Sequence, residues 1–563
     1  MSSAPAAAAA PSATATATVH NGTPNGTHTN GSTHNRPAKR PNNANRSGGN
    51  RKPKQQRTKR ERNITEGSTE EVLRCDIDAL LKARREAADG EPEDAASTAT
   101  PEADLPEPFT EIEVEIHELS STGDGLGMVA GSGSEQVYVV PFTVPGDTAR
   151  IKVIRHVRGE GHSHADFVSV TMPSPLRDDA RVRCRYFARC GGCQFQMLDY
   201  AEQLRRKRRI VVKAYDNFAN LPRALVPEVR DTIGSPLQYG YRTKLTPHFD
   251  GPPGFRPAKR GKSEAASFSA CPDIGFMQKG RRKVMDIEDC PIATEAVRVG
   301  NTRERKRMQD EYTNYKRGAT LLLRENTTRH PKDSEAAKAE LAPYTVKSES
   351  GDFVDVKSCE TDSKATTTEY IDDYIFTNPA GSFFQNTAPA PAADRTPTRP
   401  IKYLIDAYSG SGLFTITLSS LFQRSIGIDI AGASIEYARR NAALNGLAED
   451  RCRFIAADAG ELFRSVAAYD PDETVVVLDP PRKGCDASFL AQLRKFGPRR
   501  VLYVSCNVHT QARDVGVLVR GEGEGRRYEI ESLVGFDFFP QTGHVEGVAI
   551  LNRVEEEGEA TQN

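Results

Sequence analysis

The stretch "IKYLIDAYSGSG", Ile401 to Gly412, opens as an apolar strand and runs into a glycine-rich turn. Working outward, "LFTITLSSLF" reads as a helix and "RSIGIDI" as a second strand. "GASIEYARRNAALNG" reads as a helix with Ser434 near its start and Asn445-Gly446 as its stop. "CRFIAADA", "TVVVLDPPRKG" and "RRVLYVSCN" are further strands, each ending in polar residues. Strands alternating with helices predict an α/β, doubly wound sheet over residues 371–555. Ligands of such sheets sit at the carboxyl ends of the strands, where these polar residues collect.

In "DAYSGSG", Gly410 and Gly412 allow close backbone approach to a ligand, and the helix start that follows offers free N–H groups. Asp429 ends the second strand, twenty-three positions after Asp406, where a carboxylate can accept hydrogen bonds from both hydroxyls of a ribose. The two features suit an adenosine cofactor. The GxGxxG of a dinucleotide site is absent, because "SGSGLF" continues with Leu413 and Phe414, which favours S-adenosylmethionine. In "LDPPRKG", two prolines set a stiff turn that leaves Asp479 facing the cofactor and a planar base; a capped, buried aspartate is the plain alternative.

The next strand ends on Cys506, and "LVGFDFFPQTGHVEGVAIL" carries Glu546 behind His544. Five strand ends are thus expected to carry Tyr408, Asp429, Asp479, Cys506 and Glu546. Asn507 is expected to position the thiol, and Thr510 or Gln511 to cap the helix through Val515. A thiol, a carboxylate and a methyl donor together suit methylation of carbon 5 of a uracil. That carbon is a poor nucleophile until a thiolate adds to carbon 6 and forms an enolate. A carboxylate then takes the carbon 5 proton so that the thiolate can leave.

"PAGSFFQNT", "DAYSGSG", "LDPPRKG", "YVSCN" and "FPQTGHVE", in this order, resemble the RNA uracil-C5 methyltransferases, most closely the eukaryotic, fungal-type tRNA enzymes. The likeness covers about Thr110 to Arg553. It implies a Rossmann-like S-adenosylmethionine-dependent domain acting on tRNA, with the T-loop uridine at position 54 as target. It also implies that Gln385, Tyr408, Asp429 and Asp479 bind or border the cofactor, that Cys506 is the nucleophile and that Glu546 is the base. Asp429 departs from the glutamate of many relatives but keeps the carboxylate. Two other readings stay open: a cytosine-C5 methyltransferase, which the "SCN" and "HVE" motifs oppose, and an RNA-binding or tRNA-folding factor on a methyltransferase scaffold.

The rest of the 563 residues divides by composition. Residues 1–63 are low-complexity and read as disordered, with eleven Lys or Arg against Glu61 between Arg36 and Arg62. Such a basic arm suits nucleic acid or a nuclear address, or serves only as a solubilising tail. Residues 64–107 combine a helix, in which Ser68 and Glu71 form a candidate capping box, with an acidic linker. From Thr110 to Pro175, short strands between Gly and Pro turns predict a small barrel. Its GxG turn (Gly125, Gly127) and "VPGD" turn (Val144 to Asp147) resemble a TRAM domain, an OB-like RNA-binding module; a purely structural barrel is the alternative.

Residues 177–370 form a central, mainly β region with two polar stretches expected to be mobile loops, 248–270 and 326–364. In it, "CRYFARCGGCQFQ" and "DCPIA" supply Cys184, Cys190, Cys193 and Cys290. Four thiolates suit an iron–sulfur cluster or zinc. Similarity to bacterial relatives implies [4Fe–4S], while free thiols, or Cys271 as fourth ligand, are the competing readings. Cys75, Cys359, Cys452 and Cys485 have no partner spacing and read as ordinary thiols. In "YGYRTKLTPHF", Arg242 and Lys244 are candidate phosphate contacts beside aromatics that stack on bases. Residues 556–563 read as a second disordered tail.

No run of about 18 apolar residues predicts a membrane span. The first residues lack the features of a secretory signal, and the first arginine, Arg36, comes late for a mitochondrial address. Nucleus or cytoplasm is expected, with free thiols, and no motif points to an obligate protein partner.

Overall fold

Seven strands form the sheet that the Ile401–Gly412 stretch predicts: β6 (Tyr403–Ala407), β7 (Arg424–Asp429), β8 (Cys452–Ala456), β9 (Thr474–Leu478), β10 (Arg500–Ser505), β11 (Tyr528–Phe536) and β12 (Glu546–Arg553). Their order is β8-β7-β6-β9-β10-β12-β11. The first five are parallel, and β12 runs antiparallel to both of its neighbours. Parallel strands are covered on both faces, so their sequences are near-continuous apolar runs, as in "TVVVL" and "VLYV". Val475, Val477, Leu502 and Val504 pack on one face, while Val476, Leu478, Val501 and Tyr503 pack on the other. Each buried side chain of this size contributes about 1.5–3 kcal/mol, which outweighs the roughly 1–2 kcal/mol of backbone ordering per residue.

The computed structural model describes residues 66–89, 104–252, 268–382, 400–457 and 462–555, all within one compact unit, Lys59–Asn563. The expected tails, most of the acidic linker and the centre of the first polar stretch (253–267) lie outside the described residues. No helix among those described is long and apolar enough to cross a membrane.

A closed barrel of order β1-β2-β3-β5-β4 is built from β1 (Glu111–Leu119), β2 (Gly125–Met128), β3 (Val137–Val140), β4 (Thr148–Val157) and β5 (His162–Met172). Gly125 and Gly127, expected in a turn, lie instead inside fully buried β2. A Cβ at Gly127 would stand 2.8 Å from Ile116 Cδ1, and one at Gly125 would overlap Thr143 Oγ1. These glycines serve close strand packing across the small barrel. The "VPGD" turn behaves as expected: Gly146 has φ +90°, and buried Asp147 accepts the N–H groups of Val144 and Ser174.

Helix α1 (Thr69–Asp89) lays Leu73 and Ile77 on Leu126, Met128, Val137 and Val139 of the barrel. Its cap differs slightly from the expected box: Ser68 accepts the Glu71 N–H, but the Glu71 carboxylate takes the N–H of Gly67. Helix α2 (Tyr200–Phe218), capped by Asp199, packs Ile210, Val211, Ala214 and Tyr215 into the core of the seven-stranded sheet.

The second polar stretch is a correction. Residues 326–364 contribute the strands Leu323–Pro331, Val346–Ser350 and Phe353–Glu360 of a four-stranded sheet completed by Lys244–Leu245. Their polarity concealed them, because charged side chains pair across strands, Arg329 with Asp355 at 2.7 Å and Lys357 with Glu325 at 3.0 Å. The helix after the glycine turn is also shorter than expected, α3 spanning only Leu413–Thr417 before a 3-10 turn at Ser419–Leu421.

Candidate active site

Strand order reverses between β6 and β9, and the crevice above their carboxyl ends is where a ligand fits such a sheet. Asp406 near the end of β6 is fully buried and accepts the N–H (3.0 Å) and hydroxyl (2.6 Å) of Thr415. Burial pushes its carboxyl up to about 7. The next turn is left-handed three times, at Tyr408 (φ +69°), Gly410 (φ +53°) and Gly412 (φ +95°). A Cβ at Gly412 would stand 2.9 Å from Phe454, whereas Gly410 faces open space. Tyr408 is a bulky residue in a conformation that such residues avoid, its ring packed 5.4 Å from that of Phe489. Asp429 holds the turn by accepting the Gly410 N–H at 3.0 Å and secures its own loop through Ala431 N–H at 2.8 Å. Beside it, Ile430 is 73% exposed among the described residues, an apolar wall.

Asp479 follows β9, and burial pushes its carboxyl up to about 7. The "PPRKG" turn behind it is held by α4 (Val508–Arg520). Asn507 and Thr510 donate to the Arg482 carbonyl at 3.0 and 3.2 Å, and Arg513 donates to that of Lys483 at 3.0 Å. Asp514 accepts the N–H of Cys485 at 2.7 Å and the hydroxyl of Tyr503 at 2.6 Å. Gly484 (φ +76°) is required here, since a Cβ would stand 2.6 Å from both Arg513 and Asp514. The "SCNVHTQARD" run therefore locks the "DPPRKG" loop. The helix cap is Asn507, whose side chain accepts the His509 N–H, and neither Thr510 nor Gln511.

Cys506 emerges from β10 half-buried. Burial pushes its thiol up, as do the carboxylates of Glu546 and Asp479, while Arg482 opposes them through its charge and a hydrogen bond to the sulfur. Glu546 is fully buried and begins β12 instead of ending a strand, which corrects the expectation of five strand ends. Because β12 is antiparallel, its start lies at the carboxyl edge of β10. The pairing Arg500↔Asn552 through Ser505↔Gly547, extended by one residue, sets Cys506 opposite Glu546. Gln511 fastens this edge by donating to the carbonyls of Tyr503 (2.7 Å) and Gly547 (3.0 Å). His544 stands at the exposed rim, yet surrounding protein, then Arg482, Lys207 and Arg242, push its imidazole down to about 4, so it is neutral near pH 7.

Residues 373–554 match the sequence model described as tRNA (Uracil-5-)-methyltransferase. Over 463 residues the chain is 42% identical to the tRNA (uracil(54)-C(5))-methyltransferase of Schizosaccharomyces pombe, covering 80% of this chain and 79% of that relative. The chain belongs to the tRNA (uracil-5-)-methyltransferase family. The Saccharomyces cerevisiae protein of the same description is 39% identical over 487 residues, with 78% and 73% covered. The crystal structure of Pyrococcus abyssi tRNA (uracil-54, C5)-methyltransferase in complex with S-adenosyl-L-homocysteine superposes with a TM-score of 0.52 and 25% identity. The match covers 78% of this chain and 99% of that one.

In this family member Gln385 lies outside the described residues, and the loop leading toward it is described as far as Ser382. The Lys244 ammonium donates to the carbonyls of Gly381 and Ser382 at 2.8 and 2.9 Å, so it anchors that loop instead of being held ready for a phosphate. Arg242 lies over the Phe539 ring at 5.9 Å.

Cys184, Cys190, Cys193 and Cys290 come from two segments and lie close enough to influence one another's ionisation. Burial pushes Cys193 and Cys290 up to about 12. Among the described residues, no three His, Cys, Asp or Glu side chains gather tightly enough to hold a metal ion. The donors thus fit an iron–sulfur site in type and number, but they do not close around one centre. Cys271 lies apart, exposed and directed at the Met308 carbonyl. All ten cysteines are free; Cys359, Cys452 and Cys485 are buried, and Cys75 is half-buried.

Sequence reasoning did not single out Asp406 or Arg482 as functional, although both lie inside quoted motifs. It also missed Lys207 in "RRKRR", which reads as a solvated basic run. Its one signal is helical spacing with Val211, Ala214 and Phe218, which places Lys207 on the buried face of α2.

Proposed function

We propose that this protein uses S-adenosylmethionine to methylate carbon 5 of uridine 54 in tRNA through a covalent adduct on Cys506. The observation that carries the reading is the opposition of Cys506 and Glu546 across the β10–β12 edge, beside the β6–β9 crevice. The open turn at Gly410, the Asp429 carboxylate and the apolar face of Ile430 fit the sugar and base of the cofactor, which supplies an electrophilic methyl group. Asp479 borders both the cofactor and the target base, and Gln385 completes the cofactor site. The target base is first unstacked from the RNA to reach a pocket of this kind.

The Cys506 thiolate, favoured by the Arg482 guanidinium, adds to carbon 6 of the uracil. The sulfur–carbon bond replaces the carbon 5–carbon 6 π bond, and the electron pair passes into an enolate. Carbon 5 then takes the methyl group. Glu546 accepts the remaining carbon 5 proton, the double bond re-forms, and the sulfur leaves as thiolate.

The β1–β5 barrel is read as a TRAM-type RNA-binding module, with the central region and Arg242 completing the tRNA surface. Cys184, Cys190, Cys193 and Cys290 are read as [4Fe–4S] ligands by their type and number, and no step of the reaction is assigned to them.

The test is transfer of labelled methyl groups to unmodified tRNA, with the labelled position mapped. Wild type should label uridine 54, Cys506→Ala should label nothing, and Glu546→Gln should accumulate a covalent protein–RNA adduct. Equal labelling by wild type and Cys506→Ala would remove the nucleophile assignment.

A further inference from the structure

The loop between β11 and β12 carries His544 and delivers Glu546, and most of its hydrogen bonds join it to other segments, Lys207 to the Phe539 carbonyl and Tyr241 to the Pro540 carbonyl among them. Gln541, 2% exposed, adopts φ +71°, a left-handed conformation that a glutamine avoids unless held. The holding group is the amide of Gln203 on α2, 338 residues away in sequence. Gln203 Oε1 accepts the Gln541 N–H at 3.0 Å, and Gln203 Nε2 donates to the Gln541 side-chain oxygen at 3.1 Å. On the other side, the N–H groups of Gln194 and Phe195 donate to the Gln541 carbonyl at 2.8 and 3.0 Å. Gln194 Oε1 accepts the N–H of Gly543 at 3.0 Å.

Glycine would take this conformation freely. Glutamine takes it at a cost and supplies a side-chain oxygen that completes a two-point pair with Gln203. Released, residue 541 would relax to negative φ. The chain would then leave the turn at a different angle, five residues before the start of β12, and carry Glu546 away from Cys506.

Resting on the reading of Glu546 as base, we propose that Gln203 is a positioning residue: by pinning Gln541 in the left-handed conformation it sets Glu546 for removal of the carbon 5 proton. The dependence belongs to the second half of the reaction. Cysteine addition and methyl transfer use groups at the carboxyl ends of β6, β7, β9 and β10, whose hydrogen bonds do not involve the loop.

The test is Gln203→Met, which keeps the length of the side chain and removes both bonds to Gln541, together with those that Gln203 Nε2 donates to the Phe195 and Leu198 carbonyls at 3.2 Å. Turnover of unmodified tRNA should fall at least tenfold, with KM for tRNA and cofactor within about twofold of wild type. The covalent protein–RNA adduct should accumulate on denaturing gels. Adding Gln541→Gly should restore turnover to within about threefold of wild type, because glycine needs no hold at positive φ; a general packing defect would not be rescued in this way. If Gln203→Met does not fold, Gln541→Val in the otherwise intact chain should show the same loss and adduct, since a β-branched residue disfavours this conformation.

Normal turnover by folded Gln203→Met or Gln541→Val would overturn the proposal. So would lost turnover without adduct, or with no rescue by Gln541→Gly. Glu546→Gln on the same gel separates the two levels. If it traps adduct and Gln203→Met does not, only the positioning role falls; if it traps none, the base assignment falls first.

Discussion

Replacing Arg482 by methionine tests how the thiol of Cys506 is made reactive. Arg482 both attracts the thiolate and hydrogen-bonds to the sulfur, against burial and two carboxylates that disfavour the charge. Hydrogen bonds to charged groups contribute about 1.5–3 kcal/mol. Arg482 is exposed, so solvent screening argues for the bottom of that range, about 1.5 kcal/mol. At 1.36 kcal/mol per unit this raises the thiol by about one pKa unit and lowers its thiolate population near neutral pH about tenfold. The more basic thiolate is also the better nucleophile, with a Brønsted slope of about 0.4–0.5, so the net loss in attack rate is about three- to fourfold. The assay is site-resolved iodoacetamide labelling of Cys506, read by mass spectrometry from pH 6 to 10 without RNA. Arg482→Met should move the midpoint up by about one unit, react more slowly below it, and match or exceed wild type above it. Arg482→Lys should fall between the two. An unmoved midpoint, or one that moves down, would refute the electrostatic argument.

Lys207 and Asp537 form an ion pair with both side chains fully buried. Lys207→Met should cost about 3–5 kcal/mol in urea unfolding by stranding the carboxylate, and Lys207→Met/Asp537→Leu should recover most of it. The Asp406 carboxyl is raised to about 7 in the folded protein, so its stabilising contribution is complete below about pH 4 and is lost as pH rises through about 7. Unfolding free energy should fall between these limits, less steeply in Asp406→Asn. Anaerobically purified protein should contain about four iron and four sulfide per chain with visible absorbance, and protein without iron would remove the cluster reading.

Much of the catalytic half is legible because its physics is local. "VLYV" and "TVVVL" can only be buried strands, and glycines at 410 and 412 announce a turn that needs positive φ at both and leaves no room for a side chain at 412. Cys506 and Asp479 stand out because a strand rarely ends on such groups without use for them. The 326–364 stretch was misread for the opposite reason. Its strands are stabilised by cross-strand pairs such as Arg329–Asp355, and composition alone cannot distinguish a paired charge from a solvated one. Lys244 was misread similarly: a basic residue between aromatics suits RNA, but its partners, the carbonyls of Gly381 and Ser382, are far off in sequence.

By itself, the sequence determined which chemical groups are present and that each lies at the edge of a buried strand. Hydrophobic periodicity enforces such placement within a few residues of each group. Only the tertiary structure decided which of them meet. Cys506 and Glu546 are forty positions apart and face one another because β12 returns antiparallel in the register Ser505↔Gly547. A shift of one residue would turn Glu546 to the other face of the sheet. That register and the turn leading into it depend on partners such as Gln203, whose amide looks like any other until the fold brings it to Gln541.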